Sequence, residues 1–147
     1  MNLTAEELNK YRKIAIELNL EGKDLLLKHN LEYINLHCNG IGPERWPSCI
    51  RAAIDKLHKS AILASMIHDL WWDEVAHEGE ADMYLFEFHS SNRAYEANAR
   101  KLADYYYGWY NPVRYLARRE AGKFRLLLDN FGWTNFLDTV RKHEKKN

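Results

Sequence analysis

Several absences narrow the class of this chain at once. Its 21 Lys and Arg are balanced by 21 Asp and Glu, so the formal net charge is zero over 147 residues. No global field draws it to nucleic acid or to an acidic membrane, and no nucleic-acid partner is expected. Cysteine is nearly missing: Cys38 and Cys49 are the two present. That is too few for a disulfide framework, and their spacing is not that of a C-x-x-C pair. They could bridge only under oxidising conditions. No apolar run approaches the ~20 residues needed to cross a bilayer, so no transmembrane segment is expected. The opening Met1-Asn2-Leu3-Thr4-Ala5-Glu6-Glu7 lacks the basic start and apolar core of a signal peptide. The expected location is cytoplasmic, or delivery elsewhere after cytoplasmic synthesis. The strands of an α/β fold are missing, as are internal repeats and low-complexity stretches.

What is present is apolar and aromatic. Hydrophobic residues make up 46 % of the chain, with nine Tyr and five Trp. This suffices for one core, and a single helical domain over 1–147 is expected. Thr4 and Glu7 have capping-box spacing, and Leu3 and Leu8 that of a hydrophobic staple. A helix follows through Leu8, Tyr11, Ile14, Ala15 and Leu18, with Gly22 as its stop. A second helix is predicted from about Asp24 to Leu36. The segment from His37 to Pro47 holds two Gly and two Pro in eleven residues and reads as a break. Ser48 can cap the next helix, through Ile50, Ala53, Ile54 and Leu57. Ser60 restarts or continues it into a stripe of Leu63, Ile67, Leu70 and Trp71.

The second half reads similarly. Ala76 to Asp82 is polar and predicts a turn. Met83 to Phe88 suits either a short extended segment or a helix start. From Ser90 or Ser91 a helix carries Tyr95, Ala99, Leu102 and Tyr106 and ends near Gly108. Asn111-Pro112 has the form of an N-cap followed by first-turn proline. Val113, Leu116, Ala117, Ala121, Phe124, Leu127, Leu128 and Phe131 form the next stripe, closed by Gly132. A last short helix carries Phe136, Leu137 and Val140, and its lysine-rich end is expected to fray. The fold class is therefore all-α: a bundle of five to seven helices with a Gly/Pro loop before a central His-Asp helix.

Chemistry concentrates at His68 and Asp69. At roughly 100° per residue, His68 shares a strip with Ala64 and Trp72 at the edge of the apolar face. Asp69 points roughly another 100° around the helix, so the two side chains have separate tasks. About thirty residues earlier, Asn39-Gly40-Ile41-Gly42-Pro43 can expose successive carbonyls, because Gly adopts backbone angles that other residues avoid. Carbonyls plus one carboxylate are the hard oxygen ligands that Ca²⁺ prefers.

The Cys-Asn-Gly-Ile-Gly-Pro loop of residues 38–43, followed by Ile67-His68-Asp69 and an aromatic at Trp72, resembles the core of the phospholipase A2 superfamily. It is most similar to compact, disulfide-poor members carried by bacteria and their phages. The resemblance covers about residues 37–98. It implies a phospholipid substrate and a hydrolase in which Ca²⁺ is held by Asp69 and by the Cys38–Gly42 loop, Gly40 and Gly42 included. His68 would be the general base, activating water. A residue from the antiparallel neighbouring helix would orient it. Relatives carry Asp there, and Asn92 stands at that position. Asn could hold a neutral imidazole through its carbonyl oxygen, while Asp82 and Glu87 are alternative orienting groups.

Two other readings remain open. A metal-dependent phosphohydrolase of the HD type also centres on a His-Asp pair, with His37 and Asp104 or Asp129 as its further ligands. A non-catalytic helical scaffold of phage or prophage origin is the third. For it the run Tyr105-Tyr106-Tyr107-Gly108-Trp109-Tyr110 could serve as a patch joining copies of the chain. The simpler expectation for that run is half-burial at a helix end. Arg114, Arg118, Arg119, Lys123 and Arg125 are expected to form a solvated basic flank. His29, His58, His77, His89 and His143 show no ligand spacing among themselves, and Cys38 is expected to be a buried structural thiol.

Overall fold

The computed structural model describes residues 1–38 and 60–145. These form seven α-helices and no strand: α1 (Ala5–Glu17), α2 (Lys23–Lys28), α3 (Leu31–His37), α4 (Ala61–Glu78), α5 (Tyr84–Tyr106), α6 (Pro112–Phe131) and α7 (Trp133–Glu144). A short 3₁₀ turn, Ala81–Met83, leads into α5. The all-α bundle read from the sequence is the observed architecture. The expectations for Gly40 and Gly42, for the helix after Ser48, and for Cys49 and His58 lie outside the described residues.

Helix α1 begins where its cap chemistry dictates. The Thr4 hydroxyl accepts from the Glu7 amide at 3.2 Å, and the Glu7 carboxylate accepts from the Thr4 amide at 2.8 Å. The helix stops before Gly22, at Leu18, because Asn19 takes the left-handed conformation (φ 47°). The Leu20 amide then donates to Ala15 and the Asn19 amide to Ile16. This is a Schellman ending with Asn in the position that glycine usually fills. It turns Leu20 into the core.

The predicted Asp24–Leu36 helix is two helices. His29 is extended, and the Asn30 side chain accepts from the Tyr33 amide at 2.8 Å, so Asn30 caps a new helix. The cap outweighs the continuous apolar pattern across it. The chain start is tied to α3, since the Leu3 amide donates to the Asn35 side chain and that side chain returns a bond to the Leu3 carbonyl.

Helix α4 is the axis of the bundle. Leu63, Ala64, Met66, Ile67, His68, Leu70, Trp72, Asp73 and Val75 are all buried, around its whole circumference. The expected one-sided stripe is thus an underestimate: an all-round apolar helix is a central one. It contacts α2, α3, α5 and α7, while α5 pairs with α6. The Met83–Phe88 segment is helical, so α5 starts six residues before Ser90. At α6, Asn111 accepts from the Val113 amide and Pro112 occupies the first turn, as predicted. Only Ala117, Ala121, Phe124 and Leu128 of its apolar stripe are buried, and Phe131 is 65 % exposed. Phe136 of α7 fills the space between Trp72, Phe88 and Trp133. Within α7, His143 is anchored on Asp73 of α4, and the last two residues, on which the expected fraying falls, lie outside the described residues.

Gly22 locks α2 against α4. Its φ is 77°, and a Cβ there would lie 2.8 Å from Ile67 Cγ2 and 3.0 Å from the Trp71 ring. Gly22→Ala should therefore cost the roughly 1–2 kcal/mol of a left-handed L-residue plus that overlap. A fall in the urea midpoint with an unchanged slope would register it.

Candidate active site

His68 is fixed by its two aromatic neighbours and one polar one. Its ring lies 4.4 Å from Trp72, one helical turn on, and 5.9 Å edge-on from Tyr95 of α5. It is only 5 % exposed. The expected position at the edge of the apolar face is thus a buried one. Trp72 is held in turn by a bond from its indole N–H to the Ser91 hydroxyl at 2.8 Å. These contacts place the imidazole at the α4–α5 contact, packed between Trp72 and Tyr95.

His68 Nε2 lies 2.8 Å from Asn92 Oδ1 of the neighbouring helix α5, so of the three groups considered for this contact it is Asn92 that reaches the ring. Asn92 is fully buried. Its Nδ2 donates to Asp129 Oδ1 of α6 at 2.8 Å. Asp82 and Glu87 take no part. Glu87 accepts from the Trp71 indole at 2.9 Å, and Asp82 sits exposed in the 3₁₀ turn. Three helices thus meet in one polar line, His68–Asn92–Asp129.

The second ring nitrogen, Nδ1, lies 3.9 Å from Asp69 Oδ1. That distance is beyond a hydrogen bond, as expected for sequence neighbours on a helix. Asp69 is half-buried. It lies close enough to Cys38 that, after burial, its charge is the next cause pushing the thiol far up. The Tyr95 phenol is pushed up by burial and by the same charge. Cys38 itself is a buried free thiol, with Sγ 3.7 Å from the Met66 carbonyl. It is a poor nucleophile, as the sequence suggested. The carbonyl-bearing residues 39–42 lie outside the described residues.

A second constellation lies on α4 one turn beyond Asp69, and sequence reasoning missed it. Asp73 is buried and accepts from His37 Nδ1 at 3.0 Å and from His143 Nε2 at 2.9 Å. It also accepts from the Tyr33 hydroxyl. Burial pushes the Asp73 carboxyl up, but the bonds from Tyr33 and His143 and the charges of His37 and His143 outweigh it. The net result is a carboxyl held below the usual range. Tyr33 is pushed far up by burial and by its bond to Asp73. Its ring is stacked between His29 and His37, at 4.0 and 4.1 Å. The signal was present in the spacing, since His29, Tyr33 and His37 recur every four residues. Nothing local tied them to a residue 36 positions away.

The ligands nominated for an HD-type centre do not gather. His37 goes to Asp73, and Asp104 is taken by Arg114 and Arg118. Asp129 alone reaches the His68 line. Among the described residues no group of three His, Cys, Asp or Glu side chains is arranged to hold a metal ion. The basic flank of α6 is paired rather than merely solvated. Arg114 and Arg118 meet Asp104, Arg125 meets Glu96 and Asp129, and Lys123 meets Glu120. In the Tyr105–Tyr110 run, Tyr106 is half-buried, but Trp109 and Tyr110 are 74 % and 77 % exposed. The expected half-burial fails there because α5 ends at Tyr106 and the turn carries the last two rings out. No helix among the described residues is long and apolar enough to cross a membrane.

No family model, curated protein or solved structure matches this chain.

Proposed function

We propose that the chain is a phospholipase A2-like ester hydrolase that uses Ca²⁺, of the compact kind carried by phages and prophages. The observation that carries the reading is the pairing of His68 Nε2 with Asn92 on the antiparallel helix, which leaves Nδ1 on the side of Asp69. A general base needs one ring nitrogen anchored and the other available. Here the anchor comes from the helix and the position that the resemblance implies.

Of the groups that the resemblance assigns to Ca²⁺, the Asp69 carboxylate and Cys38 lie close to one another, while residues 39–42 are outside the described residues; a carboxylate with backbone carbonyls is a calcium shell. A Ca²⁺ held by Asp69 would supply polarisation of an ester carbonyl and a counter-charge for the oxyanion. His68 takes the proton from the attacking water at Nδ1, and Trp72 and Tyr95 hold the ring in place and keep bulk water from its buried side. Large apolar side chains of the kind that meets a lipid surface are exposed at both ends of α5, Phe86 in its first turn and Trp109 and Tyr110 beyond its last.

Fatty-acid release from phosphatidylglycerol and phosphatidylcholine vesicles tests this. Release should appear with Ca²⁺, fall to background on chelation with EGTA, and return when Ca²⁺ is added in excess. Release that persists in EGTA, or none with Ca²⁺, overturns the reading.

One observation favours a second reading. The exposure of Trp109 and Tyr110 gives an aromatic knob able to join a second copy or another protein. A helical scaffold of phage or prophage type would use it without any chemistry at His68.

A further inference from the structure

We infer that Asp129 is a positioning residue for His68: acting through the Asn92 amide, it dictates which imidazole nitrogen carries the proton. The inference rests on hydrogen-bond donors and acceptors alone, and only its catalytic consequence rests on the hydrolase reading.

An ionised carboxylate accepts hydrogen bonds and donates none. The Asn92 atom 2.8 Å from Asp129 Oδ1 must therefore be the amide nitrogen. The amide oxygen is then the atom that faces His68 Nε2, also at 2.8 Å. An amide oxygen only accepts, so Nε2 must carry hydrogen. In the neutral ring Nδ1 is consequently the bare nitrogen with its lone pair. A residue 37 positions from Asn92 in the chain thus selects the one tautomer in which Nδ1 can act as a base.

Without that carboxylate the selection disappears. The two ends of an amide differ by little in shape, and a flip would present NH₂ to Nε2. The ring would then hold its hydrogen on Nδ1, and the base would be lost from the side of Asp69. Asp129 is well placed to prevent this, because it is itself held. His89 Nδ1 lies 3.2 Å from the same oxygen, and Arg125 Nε 3.4 Å from the other. Among the described residues, His89 and Arg125 are the titratable and charged groups paired with it.

The arrangement also explains how an Asn can stand beside the base. Asn92 is fully buried, and a carboxylate there would lose its hydration. Asp129 side-chain exposure is 20 %, so its charge keeps some water and an arginine beside it. The neutral amide carries the orienting influence inward without a buried charge, at the cost of one added hydrogen bond in the line.

The test reads the tautomer directly. Two-bond ¹⁵N–¹H correlation spectra of the ¹⁵N-labelled protein are recorded at alkaline pH, with His68→Gln used to assign the signal. The wild type should give the Nε2–H pattern for His68. Asp129→Asn should give a mixed or inverted pattern, because an amide at 129 can face Asn92 with either end. The double variant Asn92→Asp, Asp129→Asn should restore Nε2–H by placing a carboxylate directly on it. An Nδ1–H pattern in the wild type overturns the inference with no variant needed, as does an unchanged pattern in Asp129→Asn. In the vesicle assay Asp129→Asn should lower kcat with KM unchanged, by less than the roughly 10²–10⁴-fold that a general base contributes. An inactive wild type with the Nε2–H pattern would sink the hydrolase reading and leave the tautomer assignment standing. A kcat unchanged in a variant with a mixed tautomer would refute the catalytic consequence.

Discussion

His68→Gln is expected to lower Ca²⁺-dependent fatty-acid release by roughly 10²–10⁴-fold, the contribution of a positioned general base. Glutamine is the informative replacement because its amide N–H can still donate to Asn92 Oδ1, as His68 does now. The polar line to Asp129 and the packing against Trp72 and Tyr95 would survive in large part. What glutamine lacks is a basic lone pair. Alanine removes activity as well, but it also empties a buried site and leaves the Asn92 oxygen without its partner, which costs about 1–3 kcal/mol. Comparing the two variants separates chemistry from folding. Both should show the helical circular-dichroism spectrum, and both should lack release above the Ca²⁺-free background. A glutamine variant as active as the wild type removes His68 from the reaction. Activity lost only in the alanine variant means that the ring is structural.

Much of the bundle was legible because its signals are local. The Thr4–Glu7 capping box and Asn111-Pro112 name helix starts that the backbone then adopts. The errors fell where two local signals compete or where distant residues decide. Asn30 splits a continuous apolar run because a cap bond outweighs periodicity. Asn19 ends α1 ahead of Gly22, since asparagine also tolerates the left-handed region. Met83–Phe88 had no period of its own and became helix by packing Tyr84 and Phe88 around Phe136. At the site, the His68–Asn92 contact was legible from the resemblance, but Asp129 behind it was not. Its spacing to Asn92 follows from how α5 and α6 align, which no short-range pattern encodes. The Asp73 cluster was hidden for the same reason, drawn as it is from α3, α4 and α7.

That cluster carries a large expected effect on stability. Asp73→Asn should destabilise the protein by about 1–3 kcal/mol, the cost of leaving buried hydrogen-bond donors without their acceptor. The carboxylate now accepts from Tyr33, His37 and His143 at once. An asparagine keeps one accepting oxygen and turns an NH₂ toward the remaining donors. Two of those donors sit on α3 and one on α7, so the loss loosens the packing of both on α4. The pH dependence has a definite sign. The folded carboxyl is held below its ordinary value, so the charged form is favoured by folding. Its contribution is complete above the unfolded carboxyl pKa of about 4 and is lost as the pH falls from there through the folded value. Urea unfolding at neutral pH and near pH ~3 measures this. The wild type should lose stability between the two, and Asp73→Asn should lose less over the same interval. The two curves should therefore converge in acid. Curves that stay parallel would show that Asp73 is protonated alike in the folded and unfolded chains, and that the three donors hold it by geometry without favouring its charge.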